Sequence, residues 1–227
     1  MKFVSQKSLL VSLLAVVPVL ASAQLSSNIS LTSNYKFRGQ DQDASKSKDF
    51  KPALQGGFDY AFSNGFYVGN WNSSVNWLSG NSIEMDVYGG YKGELSPGLG
   101  YDVGVLAYMY PGNSLGKTTE VYAGLSYGPF SAKYSQAVSK DYFNYGSKAS
   151  YFTVGYATEL TQGLTFKASA GLTNFKTGTD FNDYSVGLSY DLGDGFSLGG
   201  AYVGANKKAT YDFANDGRVV LSLSKAM

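Results

Sequence analysis

Long stretches of this chain alternate apolar and polar side chains with a period of two. A β-strand turns successive side chains to opposite faces, so sustained alternation selects strand over helix. Between Ser82 and Leu95, one face carries Ile83, Met85, Val87, Gly89 and Tyr91; the other carries Glu84, Asp86, Tyr88, Gly90, Lys92 and Glu94. From Asp183 to Leu192, Tyr184, Val186, Leu188, Tyr190 and Leu192 oppose Asp183, Ser185, Gly187, Ser189 and Asp191. Leu164, Phe166, Ala168, Ala170 and Leu172 oppose Thr165, Lys167, Ser169, Gly171 and Thr173 in the same way. No segment beyond the first two dozen residues sustains a 3.6-residue apolar period. The 28 glycines also argue against helix, where each costs about 1 kcal/mol relative to Ala. The chain reads as all-β.

Scanned for alternation, the sequence predicts twelve strands, near residues 27–38, 52–62, 66–78, 82–95, 99–110, 118–127, 130–139, 148–160, 164–175, 182–192, 195–206 and 217–227. Every second connection is tight: Ser63-Asn64-Gly65, Ser96-Pro97-Gly98, Gly128-Pro129, Thr161-Gln162-Gly163 and Gly193-Asp194. Gly and Asn supply positive φ there, and Pro presets a turn. The alternate connections are longer and polar, except the short Ser79-Gly80-Asn81. Short turns at one rim and long loops at the other are the pattern of an antiparallel transmembrane β-barrel, with the turns periplasmic. Most strands reach ten residues or more, more than the 5–6 usual in soluble sheets. Tyr60, Phe62, Phe66, Tyr91, Tyr127, Phe130, Tyr190 and Phe196 collect at the short-turn rim, as an aromatic girdle requires. A soluble sandwich or ligand-binding barrel would also alternate, with its apolar face turned inward.

Residues 1–23 are set apart. Lys2 and Lys7 precede an apolar run from Leu9 to Leu20, and Ala21-Ser22-Ala23 follows. That is the layout of a cleaved secretory signal, and the run is short for a membrane helix. The expected mature domain is 24–227, exported through the Sec pathway to the outer membrane of a Gram-negative bacterium. Without the two signal lysines it has 16 basic and 17 acidic residues, a net charge of −1, which gives nucleic acid nothing to bind. The sequence has no His and no Cys. Ser-His triads, His-bearing zinc sites and thiolate chemistry are therefore out of reach. No enzyme activity and no cofactor or metal is expected.

Several blocks resemble the TorF family of porin-like barrels. They are Ser30-Leu-Thr-Ser-Asn-Tyr-Lys-Phe-Arg-Gly39, Pro52-Ala-Leu-Gln-Gly-Gly-Phe-Asp-Tyr-Ala61, Gly65-Phe-Tyr-Val-Gly-Asn-Trp71, Glu84-Met-Asp-Val-Tyr-Gly-Gly-Tyr-Lys-Gly93, Tyr108-Met-Tyr-Pro-Gly112 and Glu120-Val-Tyr-Ala-Gly-Leu-Ser-Tyr-Gly-Pro-Phe130. The resemblance spans nearly all of 24–227 and implies an outer-membrane, porin-type barrel. Its partners would be outer-membrane lipid and lipopolysaccharide, the barrel-assembly machinery, and small solutes or ions. Such barrels usually end in an aromatic residue. Here Met227 stands in that place, on the face of Val219, Leu221 and Leu223.

With the apolar face outward, the charges expected to line the lumen are Lys36, Arg38, Asp59, Glu84, Asp86, Lys92, Glu94, Asp102, Glu120, Lys133, Glu159, Lys167, Asp183 and Asp191. Nine are acidic and five basic, which predicts a weak cation preference. The bland alternative is that they pair across strands and plug a narrow barrel. Glu84 and Asp86 share a face two residues apart, and read as solvated lumen charge or salt-bridge partners rather than catalysts. Gln40-Asp-Gln-Asp-Ala-Ser45 echoes a calcium loop but lacks its Gly and distal Glu, so it reads as a solvated loop. Tyr142-Phe143-Asn144-Tyr145 and Tyr211-Asp212-Phe213 are expected to pack over the barrel mouth. Two functions compete: a porin-like channel for small hydrophilic solutes, and a non-conducting structural or interaction barrel.

Overall fold

The computed structural model describes residues 23–45 and 49–227. All of the expected signal segment except Ala23 lies outside the described residues. The strands are β1 (Gln24–Thr32), β2 (Lys36–Phe37), β3 (Gln40–Asp41), β4 (Ala53–Ala61), β5 (Phe66–Ser74), β6 (Ile83–Ser96), β7 (Leu99–Met109), β8 (Thr118–Tyr127), β9 (Phe130–Ala137), β10 (Ala149–Thr161), β11 (Leu164–Phe175), β12 (Phe181–Gly193), β13 (Phe196–Ala205) and β14 (Arg218–Ala226). A helical turn, α1 (Lys208–Tyr211), lies between β13 and β14. Twelve strands, β1 and β4 to β14, form one closed antiparallel barrel in sequence order. β1 closes it by pairing with β14, Leu31 opposite Leu223. Met227 extends that seam: its backbone N–H donates to Ser27 at 2.8 Å and its carbonyl accepts from Ser27 at 2.9 Å.

The alternation maps onto the wall as expected. Leu25, Leu54, Phe58, Val87, Val105, Val154, Val186, Leu198 and Leu221 all project outward and are exposed. A closed barrel satisfies its backbone polar groups and leaves no edge, so this apolar exterior is suited to hydrocarbon. The aromatic girdle at the tight-turn end is present, with Phe66 against Tyr91 at 4.9 Å and Tyr60 against Phe62 at 4.8 Å. Three of the tight-turn ends carry register shifts, at Glu94/Ser96, Glu159/Thr161 and Asp191/Gly193. Bulges at barrel rims commonly end strand pairing in this way.

Two expected strands stop early. The first was expected over 27–38, but the wall strand ends at Thr32. The chain then turns into the barrel and forms the β2–β3 hairpin. Its two-residue turn, Arg38-Gly39, has φ of 49° and 75°, the positive-φ pair that a tight hairpin needs. A Cβ at Gly39 would sit 2.6 Å from the Gly204 carbonyl, so only Gly lets the hairpin tip meet the β13 wall. The third strand was expected over 66–78 and ends at Ser74; Val75 and Leu78 leave the wall to join a packed core. That core holds Tyr108, Tyr110, Ala137, Tyr142, Phe143 and Ala149 as well. It lies at the long-loop end of the barrel.

Candidate functional site

The lumen is the one enclosed polar space the wall creates, and its two halves differ. At the long-loop end the β2–β3 hairpin fills it. Tyr35 and Phe37 project into the aromatic core, with Phe37 edge-on to Tyr108 at 5.6 Å and to Phe143 at 5.5 Å. Arg38 reaches across to Glu120, donating to Oε2 at 2.8 Å, and to the Tyr142 hydroxyl at 2.8 Å. Its guanidinium also stacks over the Tyr151 ring at 4.1 Å. Asp41 gathers three cations: Lys36 at 3.3 Å, Lys51 at 3.3 Å and Arg218 at 2.8 Å. Burial pushes the Lys36 ammonium down to about 8, against the raising effect of Asp41. Lys36 further donates to the carbonyls of Gly39, Ala214 and Asp216, which ties the hairpin to the last long loop.

This arrangement corrects three expectations. Lys36 and Arg38 enter the lumen from a loop, not from a wall strand. Asp41 and Gln42 are buried, so 40–45 is not a solvated loop. Glu84 and Asp86 are neither solvated nor salt-bridged among the described residues. Glu84, 1% exposed, accepts from the Tyr35 hydroxyl at 3.0 Å and the Tyr110 hydroxyl at 2.9 Å. Asp86 is buried, and its Oδ1 has no hydrogen-bond partner among the described residues. Asp183 is buried beside the hairpin tip and accepts from the Tyr151 hydroxyl at 3.1 Å. The loop aromatics pack over the mouth as expected: Tyr142 and Phe143 are in the core, and Tyr211 lies edge-on to Phe181 at 5.2 Å.

Toward the tight turns the lumen opens into a vestibule. Inward positions on β11, β12 and β13 are small: Ser169, Ser185, Gly187, Ser189, Gly199 and Ala201. All are partly accessible. The opposite wall is bulkier, and Tyr67, Asp102 and Tyr122 on it are buried. Tyr67 donates to Asp102 at 2.5 Å and shares a short hydroxyl contact with Tyr122. Tyr88 donates to Asp59 at 2.6 Å. The hydroxyl end of Tyr122 reaches Gly104, where a Cβ would be 2.5 Å from that hydroxyl and 2.6 Å from the Gly89 carbonyl. Lys92, Lys133 and Lys167 complete the lining, none in an ion pair among the described residues.

The last three expected lumen charges sit at the rim. Glu159 accepts from the Gly163 N–H at 2.9 Å and Asp191 from the Gly193 N–H at 2.9 Å, so both brace tight turns. Glu94 is exposed at the third register shift. Lys51 and Arg218 were not singled out from the sequence, and Asp41 stood there only as part of a solvated loop. Arg218 shared the polar parity of Ser222 and Ser224, which was the available signal. Nor were the tyrosines given their lumenal role. Tyr88 already stood on the polar face with Glu84 and Asp86.

A lumen of this kind, in a closed wall with short turns below and long loops above, invites comparison with known barrels. Residues 20–226 match a family described as "Bacterial protein of unknown function (Gcw_chp)". The chain belongs to the Gcw_chp family. No curated protein matches it. Among solved structures, the KdgM porin superposes with a TM-score of 0.57 at 12% identity, covering 88% of this chain and 98% of that one. The same porin in complex with disordered oligogalacturonate gives 0.57 at 11% identity, covering 88% and 97%. The NanC porin gives 0.57 at 13% identity, covering 89% and 98%. At these identities the likeness establishes a shared fold: this Gcw_chp protein is a porin-type twelve-stranded barrel.

Proposed function

We propose that the protein is an outer-membrane, porin-like channel for passive diffusion of small hydrophilic solutes or ions. The observation that carries this reading is the vestibule: a wall of Ser, Gly and Ala side chains, partly accessible, that leaves room beside three lysines with no ion pair among the described residues. Lumen charges tune selectivity in barrels of this type. What closes the path is the β2–β3 hairpin, which pairs with no wall strand and so can leave without breaking the ladder. Its flanks are tied to the wall end by the Ser33 N–H to the Leu221 carbonyl at 2.8 Å and by single bridges from Asn34 to Lys51 and from Asp43 to Asn76. The arrangement described is then the closed form of the channel. Export through Sec with cleavage of residues 1–23, insertion by the barrel-assembly machinery beside lipopolysaccharide, TorF-type kinship and the lack of enzyme activity belong to the same proposal. The weak cation preference expected from counting charges belongs here too: with the sealed half set aside, Asp59, Glu94, Asp102, Glu159 and Asp191 still outnumber Lys92, Lys133 and Lys167.

A second reading, a non-conducting structural barrel, is favoured by the depth of that seal: Thr118 and Thr173 are 0% exposed and Glu120 1%. Conductance of the refolded chain without residues 1–23, in a planar bilayer, separates the two. Discrete steps, in the native chain or after release of the hairpin by Arg38→Ala, support the channel. A folded, heat-modifiable barrel silent in both forms leaves the structural barrel.

A further inference from the structure

The vestibule's charges are arranged differently from those of the seal. In the seal, Arg38 has Glu120, while Lys36, Lys51 and Arg218 share Asp41. Below, Lys92 and Lys133 flank Asp102, Lys92 as its direct partner across the β6–β7 ladder and Lys133 one strand further on, beyond Gly124. Neither reaches it as an ion pair. Asp102 instead receives the Tyr67 hydroxyl at 2.5 Å, and Tyr67 in turn meets Tyr122. The two ammonium groups lie over the rings of that tyrosine pair, Lys133 at 3.8 Å from the Tyr122 centroid and Lys92 at 5.5 Å from that of Tyr67. Ring faces hold a cation without cancelling its charge, so both ammonium groups keep donors free for an incoming anion. Lys167 lies five strands round the barrel from Lys92, between Ala157 and Gly187, whose side chains offer it no partner. The acidic groups that share the vestibule are Asp102 and Asp59, each already accepting a tyrosine hydroxyl, and Glu94, Glu159 and Asp191 stand at its rim, where Glu159 and Asp191 accept from turn N–H groups. Above Lys133 stand Arg38 and Glu120, paired with each other.

We infer that the vestibule contains a binding site for small multivalent organic anions, solutes carrying several carboxylate or phosphate groups. Lys92 and Lys133 hold one anionic group on the side of their ammonium groups turned away from the buried Tyr67–Tyr122 pair, and Lys167 meets a second from the small-residue wall. The inference rests on the proposed function only in requiring a vestibule open to solvent. Lysines act here as point charges without the fixed fork of arginine, so the site selects for charge and spacing more than for shape. A partly enclosed site is screened less than a surface one, yet its affinity still falls with salt.

Isothermal titration of purified, heat-modifiable protein in detergent with citrate tests this directly. The native protein is expected to bind citrate at least tenfold more tightly than acetate, with affinity falling as salt rises. Lys92→Gln with Lys133→Gln is expected to weaken citrate binding at least tenfold, and Lys167→Gln several-fold. Lys133→Arg, which keeps the charge, is expected to retain binding and so separates loss of charge from loss of fold. Equal citrate affinity in the folded double variant, or no citrate binding by the folded native protein, overturns the site. A barrel that binds citrate but never conducts removes the channel and leaves the site; one that conducts but ignores citrate does the reverse.

Discussion

Thr173 and Ser169 point into the same lumen from the same strand, four residues apart, yet Thr173 is completely buried and Ser169 is reached by solvent. The wall treats them alike; the difference is what stands opposite. Thr173 lies in the half filled by the β2–β3 hairpin and the loop aromatics, Ser169 in the half where none of the described loops is inserted. Alternation along a strand therefore decides which side chains face inward, but not whether the inside is wet. That second property comes from a short loop segment, held by one arginine–glutamate contact, a three-cation cluster on Asp41 and two aromatic anchors.

The contrast is broken most forcefully at Arg38. Arg38→Ala leaves Glu120 buried without its cation, a loss on the order of 3–5 kcal/mol for a buried pair. The hairpin is expected to detach, raising the open fraction in bilayer recordings several-fold and making residues 33–45 sensitive to protease. Arg218→Ala removes one of three cations from Asp41 and its 2.9 Å contact with Asp49. It is expected to loosen the hairpin by about 1–3 kcal/mol, with a smaller rise in open fraction in the same recordings. Gly104→Ala acts on the other half: its Cβ pushes Tyr122 off the Tyr67–Asp102 contact, an overpacking cost of about 1–3 kcal/mol. It is expected to lower the temperature of heat modification on gels while leaving the hairpin protected from protease. Glu159→Gln, at the rim, keeps an acceptor for Gly163 and should change the same temperature by no more than about 0.5 kcal/mol would, with conductance unmoved.

Most of the wall could be read from residue order. The segments 118–127 and 164–175 end where alternation and turn residues said they would, because outward-facing Leu, Val and Tyr leave one solution for the register. The first loop misled for a physical reason. Tyr35 and Phe37 continue the apolar parity and Lys36 and Arg38 the polar one, so a hairpin inside the barrel carries the same pattern as a strand in its wall. What pairs with what was beyond local reading. Arg218 meets Asp41 across 177 residues, and Arg38 meets Glu120 across 82. Counting charges by parity placed Glu84 and Lys167 in one category; burial divides them, one capped by two tyrosine hydroxyls and the other unpaired.

The most direct test of a lumen sealed at one end uses the absence of cysteine from the sequence. Ser169→Cys and Thr173→Cys place single thiols on one strand, and a membrane-impermeant thiol reagent measures access to each. Rapid labelling at 169 with protection at 173, lifted when Arg38→Ala is added, is the result this account predicts. Equal labelling at both positions in the native protein would contradict it.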